Sequence, residues 1–467
     1  MVFVKVAKNL KTGNFNSFAY VDCNLHSLQS TFCLALIRGY ITSTMTQPLA
    51  PQPPKTLNSR TAIIVFLSFV FAYFLSYALR SVNATIAPLL EQDLGLDAAA
   101  LGWLSSAYFL SFAGMQWLVG GWLDVYGARR TETALLATAA IGACIVAMSA
   151  SLWGLSIGRI LIGAGVSACL MAPYAYFRRC FAPEKQAQLA MWMLIGGTSG
   201  ALAATQPTLL LAEAIGWRNV FFITSGLLAL AALTVFKNIP DIDMGHIKAQ
   251  NDAKKESVTT PKMSLITVLR HPNMLRIIPT TLTMSGGFIA LQSLWVGPWM
   301  THVLGLSIND TGIRLFYFNL ALITAYVAMS VLSPKLIRAG YTLGLQSKIG
   351  FFWMLASLVC ILIWRDQQAW WLWVVMSASI PAIILMQTQT GMLFPRAVAG
   401  RVLTTFNLIM FTGAFLLQWG IGLAVDLFMF YGQSIDQSLW LAVLVLLCLQ
   451  GISVIWYLTR PDPIAET

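Results

Sequence analysis

One arginine stands inside a long apolar run near the start of the chain. Arg80 lies in the sequence FAYFLSYALRSVNATIAPLL, with Tyr77 three positions before it and Asn83 three positions after it. Residues three apart share one face of a helix, so these side chains are expected to point the same way. A charge inside an apolar span is costly unless it is hydrated or paired, which makes Arg80 a candidate for ligand binding. The alternative is a structural arginine that hydrogen-bonds backbone or extends toward the membrane surface.

A second arginine lies at a similar depth in another apolar run. At 1.5 Å per helical residue, Arg159 is about 10 Å inside its run, and Arg80 is about 15 Å from Leu90. Two interpretations of Arg159 stay open, namely a second positive charge for a ligand or a bridge between helices. Gln292 and Asn407 are polar candidates in later runs, although such amides more commonly join helices than bind ligands.

The composition excludes several classes of protein. The chain has 467 residues, of which 57% are hydrophobic and 10% charged, with a mean hydropathy of +0.71. An ordinary soluble domain carries roughly 25% charged residues, so a soluble enzyme, a disordered protein and a nucleic-acid binder are excluded. The net charge of +11 is distributed between apolar runs and forms no patch. The seven cysteines form no CxxC pair and the four histidines lie in the tail or in loops, so we expect no metal and no cofactor.

Twelve apolar runs are long enough to cross a bilayer, for which about 20 residues are needed. They are predicted at 62–88, 99–122, 131–150, 152–177, 187–211, 217–236, 275–300, 312–333, 346–364, 369–393, 401–428 and 438–458. The predicted fold is therefore an all-α membrane protein with one six-helix half in 62–236 and another in 273–459. A basic linker, 237–272, joins the halves, and polar tails occupy 1–61 and 460–467; residues 1–44 are interpreted as an upstream extension of the gene. Pro207, Pro279 and Pro381 are expected to bend their helices.

Lysine and arginine alternate between connections in a way that predicts the orientation. With a cytoplasmic N-terminus, the connections that fall inside hold most of the basic residues, whereas the outside ones hold only Arg218, Arg314 and Arg365. The first outside connection carries Glu91, Asp93 and Asp97 instead. Cytoplasmic loops are enriched in Lys and Arg, so both termini and the linker are expected inside, in a bacterial inner membrane.

The connection after the second run carries a recognisable motif. The sequence GGWLDVYGARR, residues 120–130, resembles the G-x-x-x-D-x-x-G-x-[RK]-[RK] signature of the major facilitator superfamily. The matching positions are Gly120, Asp124, Gly127, Arg129 and Arg130. Glycines permit a tight turn and close helix approach. The resemblance implies that Asp124 contacts the N-terminus of the eleventh helix and latches the two halves on the cytoplasmic side.

The first run resembles a narrower group within that superfamily. Tyr77, Arg80 and Pro88, followed by an acidic connection and Leu-Gly-Leu, look like the organophosphate–phosphate antiporters and the anion–cation symporters. This resemblance implies that Arg80 meets the anionic group of a substrate. The seventh run departs from the phosphate-ester carriers, which have a second arginine mid-helix, because the middle of this run has Gln292 and no charged residue. A carboxylate or another singly charged anion is therefore expected.

These observations predict a secondary transporter of a small organic anion that works by alternating access. Its partners are expected to be the anion and the lipid bilayer, without nucleic acid, and the chain is expected to be a monomer and not an enzyme. The predicted substrate-binding residues are Arg80, Tyr77, Asn83, Arg159, Gln292 and Asn407. Because no Asp, Glu or His lies near the middle of a predicted span, coupling is expected by exchange, by a proton carried on the substrate, or downhill. The alternatives are an exporter of drugs or metabolites and a membrane sensor without transport.

Overall fold

The computed structural model describes residues 58–460 apart from 182, 241–264 and 395–398. The tail 1–57, most of the basic linker and the tail 461–467 therefore lie outside the described residues, as do the predictions made for them. Every secondary-structure element in the described part of the chain is a helix.

The helices follow the predicted runs in order. They are α1 (Ser59–Leu94), α2 (Ala98–Leu123), α3 (Val125–Met148), α4a (Leu152–Gly165), α4b (Met171–Cys180), α5a (Pro183–Ala203), α5b (Gln206–Ile215), α6 (Trp217–Asn238), α7 (Pro272–Val303), α8 (Ile308–Arg338), α9 (Leu343–Ile363), α10 (Gln367–Met392), α11 (Arg401–Phe430) and α12 (Ile435–Thr459). Within the described residues, ten of these are long and apolar enough to cross a membrane. The predicted all-α membrane fold is confirmed, but the fourth and fifth predicted spans are each divided into two helices.

Breaks in the helices lie next to the prolines that were expected to bend them. Pro207 is the second residue of α5b, directly after the break in the fifth span. Pro381 starts the second part of α10, and Pro279 precedes a π-helical turn at Thr281–Ser285 in α7. Two further π-helical turns follow in α7, at Leu291–Trp295 and Trp299–Val303. Proline removes a backbone donor and clashes with the preceding turn, so the breaks have a local cause.

The connections fall into two groups, one at each end of the bundle. The acidic end holds the α1–α2 connection, and there Asp93 pairs with Arg218 at the start of α6. At the same end, the side chain of Gln367 donates to the carbonyl of Gly305, which joins α10 to the α7–α8 connection. The basic end holds the α2–α3 and α8–α9 connections. These two turns contain Gly127 and Gly340, whose φ angles of 78° and 92° suit glycine.

Candidate functional site

Arg80 lies in a cage of aromatic rings that come from both halves of the molecule. Its guanidinium carbon is 4.4 Å from the centre of the Tyr77 ring on the same helix and 5.5 Å from that of Phe112 on α2. The ring of Phe411, on α11 of the other half, is 5.2 Å away. Phe112 and Phe411 also contact each other, with ring centres 4.5 Å apart. Rings at these distances attract a cation through their π faces, so both halves hold the same guanidinium.

Tyrosine hydroxyls complete the surroundings of Arg80. Tyr108 of α2 lies beside the guanidinium and directs its hydroxyl to the carbonyl of Ser76. Tyr326, on α8 of the C-terminal half, is close enough to interact electrostatically with both Tyr77 and Arg80. Tyr77, Arg80 and Tyr326 are all partly exposed although they lie deep in the bundle. The site therefore contains open space next to its charge.

Arg80 has no counter-charge in the described part of the chain. None of the ion pairs found there includes it, and its Nε is buried without a hydrogen-bond partner. An arginine presents five donors in a planar fork that matches a carboxylate. A cation that is held between rings, is partly exposed and forms no ion pair within the described residues can bind an anion.

Arg159 faces the interior of the N-terminal half. It is 2% exposed, its Nη1 donates to the carbonyl of Leu79 at 3.2 Å, and its guanidinium lies 5.2 Å from the ring centre of Phe221. These contacts join α4a to α1 and α6. These contacts agree with a bridge between helices, although the Arg159 Nε is buried without a hydrogen-bond partner, and the role in ligand binding stays a prediction.

The other predicted site residues are engaged by neighbouring helices. Asn83 is buried and its amide donates to Ser105 of α2 at 2.5 Å. The amide of Gln292 donates to Asn319 of α8 at 3.0 Å, and both side chains are buried. Asn407 accepts from Gln387 of α10 at 2.8 Å and is partly exposed. Of these amides, Asn407 is the one left accessible, and it lies one turn from Phe411 on the same face of α11.

Phe112, Phe411, Tyr108 and Tyr326 were missed as site residues. Each stands in an apolar run where an aromatic side chain is common. The spacing of Tyr108 and Phe112, four positions apart in α2, was the one available signal that they share a face. Their proximity to Arg80 depends on how α2, α8 and α11 pack, which no local pattern records.

The signature connection is formed partly as expected. Gly127 turns the chain between α2 and α3, and the Arg129 guanidinium lies 4.6 Å from the ring centre of Phe236 at the end of α6. Gly120 has open space where a Cβ would stand, so the close helix approach expected there is not made. The Asp124 side chain lies outside the described residues, and its latch to α11 stays a prediction.

A buried acid lies in the N-terminal half away from Arg80. Glu132 of α3 is 0% exposed, and neither carboxyl oxygen has a partner by hydrogen-bond geometry, although the Cys169 thiol is its neighbour. Glu132 is the second residue of the predicted third run, which begins at 131, so it is not an acid near the middle of a predicted span. The packing of α3 against α4b and the turn before that helix excludes water from the carboxyl group.

The halves meet through polar contacts at the acidic end. His302 of α7 lies 3.7 Å from Glu91 of α1, and the amide of Gln206 donates to Asn309 of α8 at 2.5 Å. Asp426 of α11 accepts from the backbone N–H of Ala99 in α2 at 2.8 Å. Three helix pairs, α1–α7, α5–α8 and α2–α11, are thus joined at this end, which closes it.

An all-helical membrane fold in which N-terminal and C-terminal helices meet around a charged site is typical of a membrane transporter of the facilitator type. Residues 69–418 match the sequence profile of the Major Facilitator Superfamily, and the chain belongs to this family. The fold agrees, because a bacterial homologue of the human lysosomal transporter Spinster, in an inward-facing and occupied conformation, superposes with a TM-score of 0.70 at 16% identity. That comparison covers 87% of this chain and 98% of the other. A D-xylose–proton symporter matches with a TM-score of 0.70 at 13% identity, over 87% of this chain and 99% of the other.

Curated relatives carry different transport names. The putative uncharacterized transporter YgaY of Escherichia coli K12 is 31% identical over 41% of this chain and 47% of its own length. A cephamycin export protein of Amycolatopsis lactamdurans is 30% identical over 36% of this chain and 34% of its own. The hexuronate transporter of Escherichia coli K12 is 25% identical over 42% of this chain and 48% of its own. The chain spans less than half the length of each of these relatives.

Proposed function

We propose that the protein is a secondary transporter of a small, singly charged organic anion, which binds at Arg80. One observation carries this proposal. The Arg80 guanidinium lies between rings of both halves, belongs to a partly exposed side chain, and forms no ion pair within the described residues. The hexuronate transporter among the relatives supports the anionic class, since a hexuronate is an organic anion.

The contacts of the site explain how an anion could couple the two halves. Tyr77 and Phe112 of one half and Phe411 of the other share the guanidinium, so an anion bound to Arg80 lies at their junction. Facilitators expose such a midplane site to one side at a time by rocking their halves. The alternation of basic residues supports the acidic end as the outer one, with both termini in the cytoplasm.

A single negative charge on the substrate fits the site better than two. The other arginine at this depth, Arg159, is engaged by the Leu79 carbonyl and the Phe221 ring. In α7, the corresponding position of the phosphate-ester carriers is occupied here by Gln292, which is engaged by Asn319. A phosphate ester would therefore find one cation instead of two.

A thermal-shift screen on purified protein tests this function. Carboxylates, phosphate esters, sugars and cationic drugs are compared on the wild type, on Arg80→Gln and on Arg338→Gln, which removes an exposed arginine at the basic end. We expect one class of monoanion to raise the melting temperature of the wild type and of Arg338→Gln and to leave Arg80→Gln unchanged. Stabilisation by an anion that survives Arg80→Gln would contradict the proposal.

An exporter of amphipathic compounds is the second candidate function. The aromatic walls around Arg80 offer a large apolar surface, and one relative is named a cephamycin export protein. In this case Arg80 would be structural. The same screen separates the two functions, because neutral or cationic compounds would then stabilise the wild type and Arg80→Gln alike.

A further inference from the structure

The N-terminus of α2 is capped by two carboxylates, one from each half of the molecule. Asp97, the residue before the helix, accepts from the N–H of Ala100 at 2.7 Å. Asp426 of α11 accepts from the N–H of Ala99 at 2.8 Å and also from that of Ala98. The first N–H groups of a helix have no partner inside the helix. Half of this cap is therefore supplied by the opposite half of the molecule.

The helices approach closely enough for the cap to form. A Cβ on Gly102 of α2 would lie 3.0 Å from the carbonyl oxygen of Gln418 in α11, and one on Gly422 of α11 would overlap the Ala98 carbonyl. Trp103 of α2 and Trp419 of α11 also contact each other, with ring centres 5.2 Å apart. The contact continues to Phe112 and Phe411 beside Arg80. One seam thus joins the Asp426 cap to the proposed binding site.

We propose that Asp426 is a positioning residue for transport, because its carboxylate caps α2 only while the acidic end is closed. When the halves separate at that end, Ala98 and Ala99 lose their acceptor and Asp426 loses the positive end of the α2 dipole. The cap therefore stabilises the state in which Arg80 is shut off from the acidic side. This inference rests on alternating access and does not depend on which substrate is carried.

The sequence contains a reciprocal arrangement at the other end of the same two helices. Asp124 lies 25 positions after Ala99, and Asp426 lies 25 positions after Arg401 at the start of α11. The family signature implies that Asp124 caps α11 at the basic end. Each helix of this antiparallel pair would then carry an aspartate near its C-terminal end that caps the N-terminus of the other.

The test measures the width of the acidic end without any substrate. Spin labels are placed at Gln92 and Gln433, both exposed at this end, in a chain whose native cysteines have been replaced. The protein is held in lipid nanodiscs, and the distance distribution between the labels is measured by pulsed electron paramagnetic resonance. Asp426→Ala removes the carboxylate acceptor, and Ala99→Pro removes one of the donors.

Proline should be tolerated at position 99, since Pro207 occupies the corresponding second position of α5b in this chain. We expect each variant to raise the ratio of the long-distance to the short-distance population about fivefold, as the loss of a typical cap implies. The double variant should shift the ratio no further than Asp426→Ala alone, because both changes break one contact. If one of the two single variants fails to fold, the other still tests the same contact.

Asp97→Ala is the matched control, because it removes a cap of the same helix that lies within one half. It should lower the melting temperature, while the distances between the labels stay short as in the wild type. If the distributions of Asp426→Ala and Ala99→Pro coincide with that of the wild type, or if Asp97→Ala opens the acidic end equally, the inference is wrong. None of these outcomes depends on anion binding at Arg80, so the proposed function can stand or fail separately.

Discussion

Arg80 is held by rings that belong to distant parts of the chain, and this arrangement makes the role of each ring testable. Phe411→Ala should weaken anion binding about fivefold, because the guanidinium loses the ring that the C-terminal half provides. The dissociation constant of a stabilising anion, measured by titrating the thermal shift, checks this expectation. Phe352→Ala, which removes an exposed ring on α9, is the control. Equal affinity in Phe411→Ala and the wild type would show that this ring does not contribute to the site.

Arg159 illustrates the opposite role for a buried arginine. Arg159→Gln should destabilise the protein by about 1.5–3 kcal/mol, the range for a hydrogen bond to a charged group, because it removes the contacts with Leu79 and Phe221. Anion binding should remain, since these contacts lie inside the N-terminal half. Unfolding in denaturant and the anion-induced shift are measured on the same variant. Loss of the anion-induced shift with unchanged stability would instead make Arg159 part of the binding site.

At the residue scale, the charge of the site could be predicted from the sequence but its walls could not. Arg80 is conspicuous because an arginine is costly in an apolar run. Phe112 and Phe411 are ordinary residues of such runs, and they become part of the site only when α2 packs against α11. Asn83 and Gln292 were predicted from their polarity, yet their amides satisfy Ser105 and Asn319. Whether they also reach a substrate is untested.

At the scale of elements, the α2–α11 seam depends on the absence of a side chain at Gly102. Gly102→Val should disrupt closure of the acidic end, because its Cβ would meet the Gln418 carbonyl and the Trp419 backbone. Overpacking of this kind typically costs about 1–3 kcal/mol. Gly114→Val is the matched control on the same helix, since no atom lies within 4 Å of its Cβ position. Similar melting temperatures and label distances for the two variants would contradict a tight seam.

The helices themselves follow from hydropathy, and their interruptions lie close to prolines. Each predicted run coincides with a helix or a pair of helices, because a backbone in lipid must satisfy its own hydrogen bonds. The break after Pro279 and the one at Pro207 have local causes that the sequence shows. The break at 166–170 in the fourth span precedes Pro173, which has no N–H to donate to the Cys169 carbonyl, although this span was predicted as continuous helix.

At the scale of the whole molecule, the possible transport cycles differ in whether they need a proton gradient. Exchange or downhill movement should continue when a protonophore abolishes the proton gradient across a proteoliposome. Glu132 is the buried acid that could make this expectation wrong, since it is fully buried in α3. Anion efflux with and without protonophore is measured for the wild type and for Glu132→Gln. A requirement for the proton gradient that disappears in Glu132→Gln would show proton coupling through this residue.

The most direct test of the central claim is counterflow of the anion that stabilises the protein most strongly. Wild-type and Arg80→Gln proteins are reconstituted into liposomes loaded with unlabelled anion, and uptake of labelled anion is followed. We expect saturable accumulation with the wild type and at most background with Arg80→Gln, while Arg338→Gln behaves as the wild type. Equal accumulation by Arg80→Gln would contradict the assignment of Arg80 as the anion-binding residue.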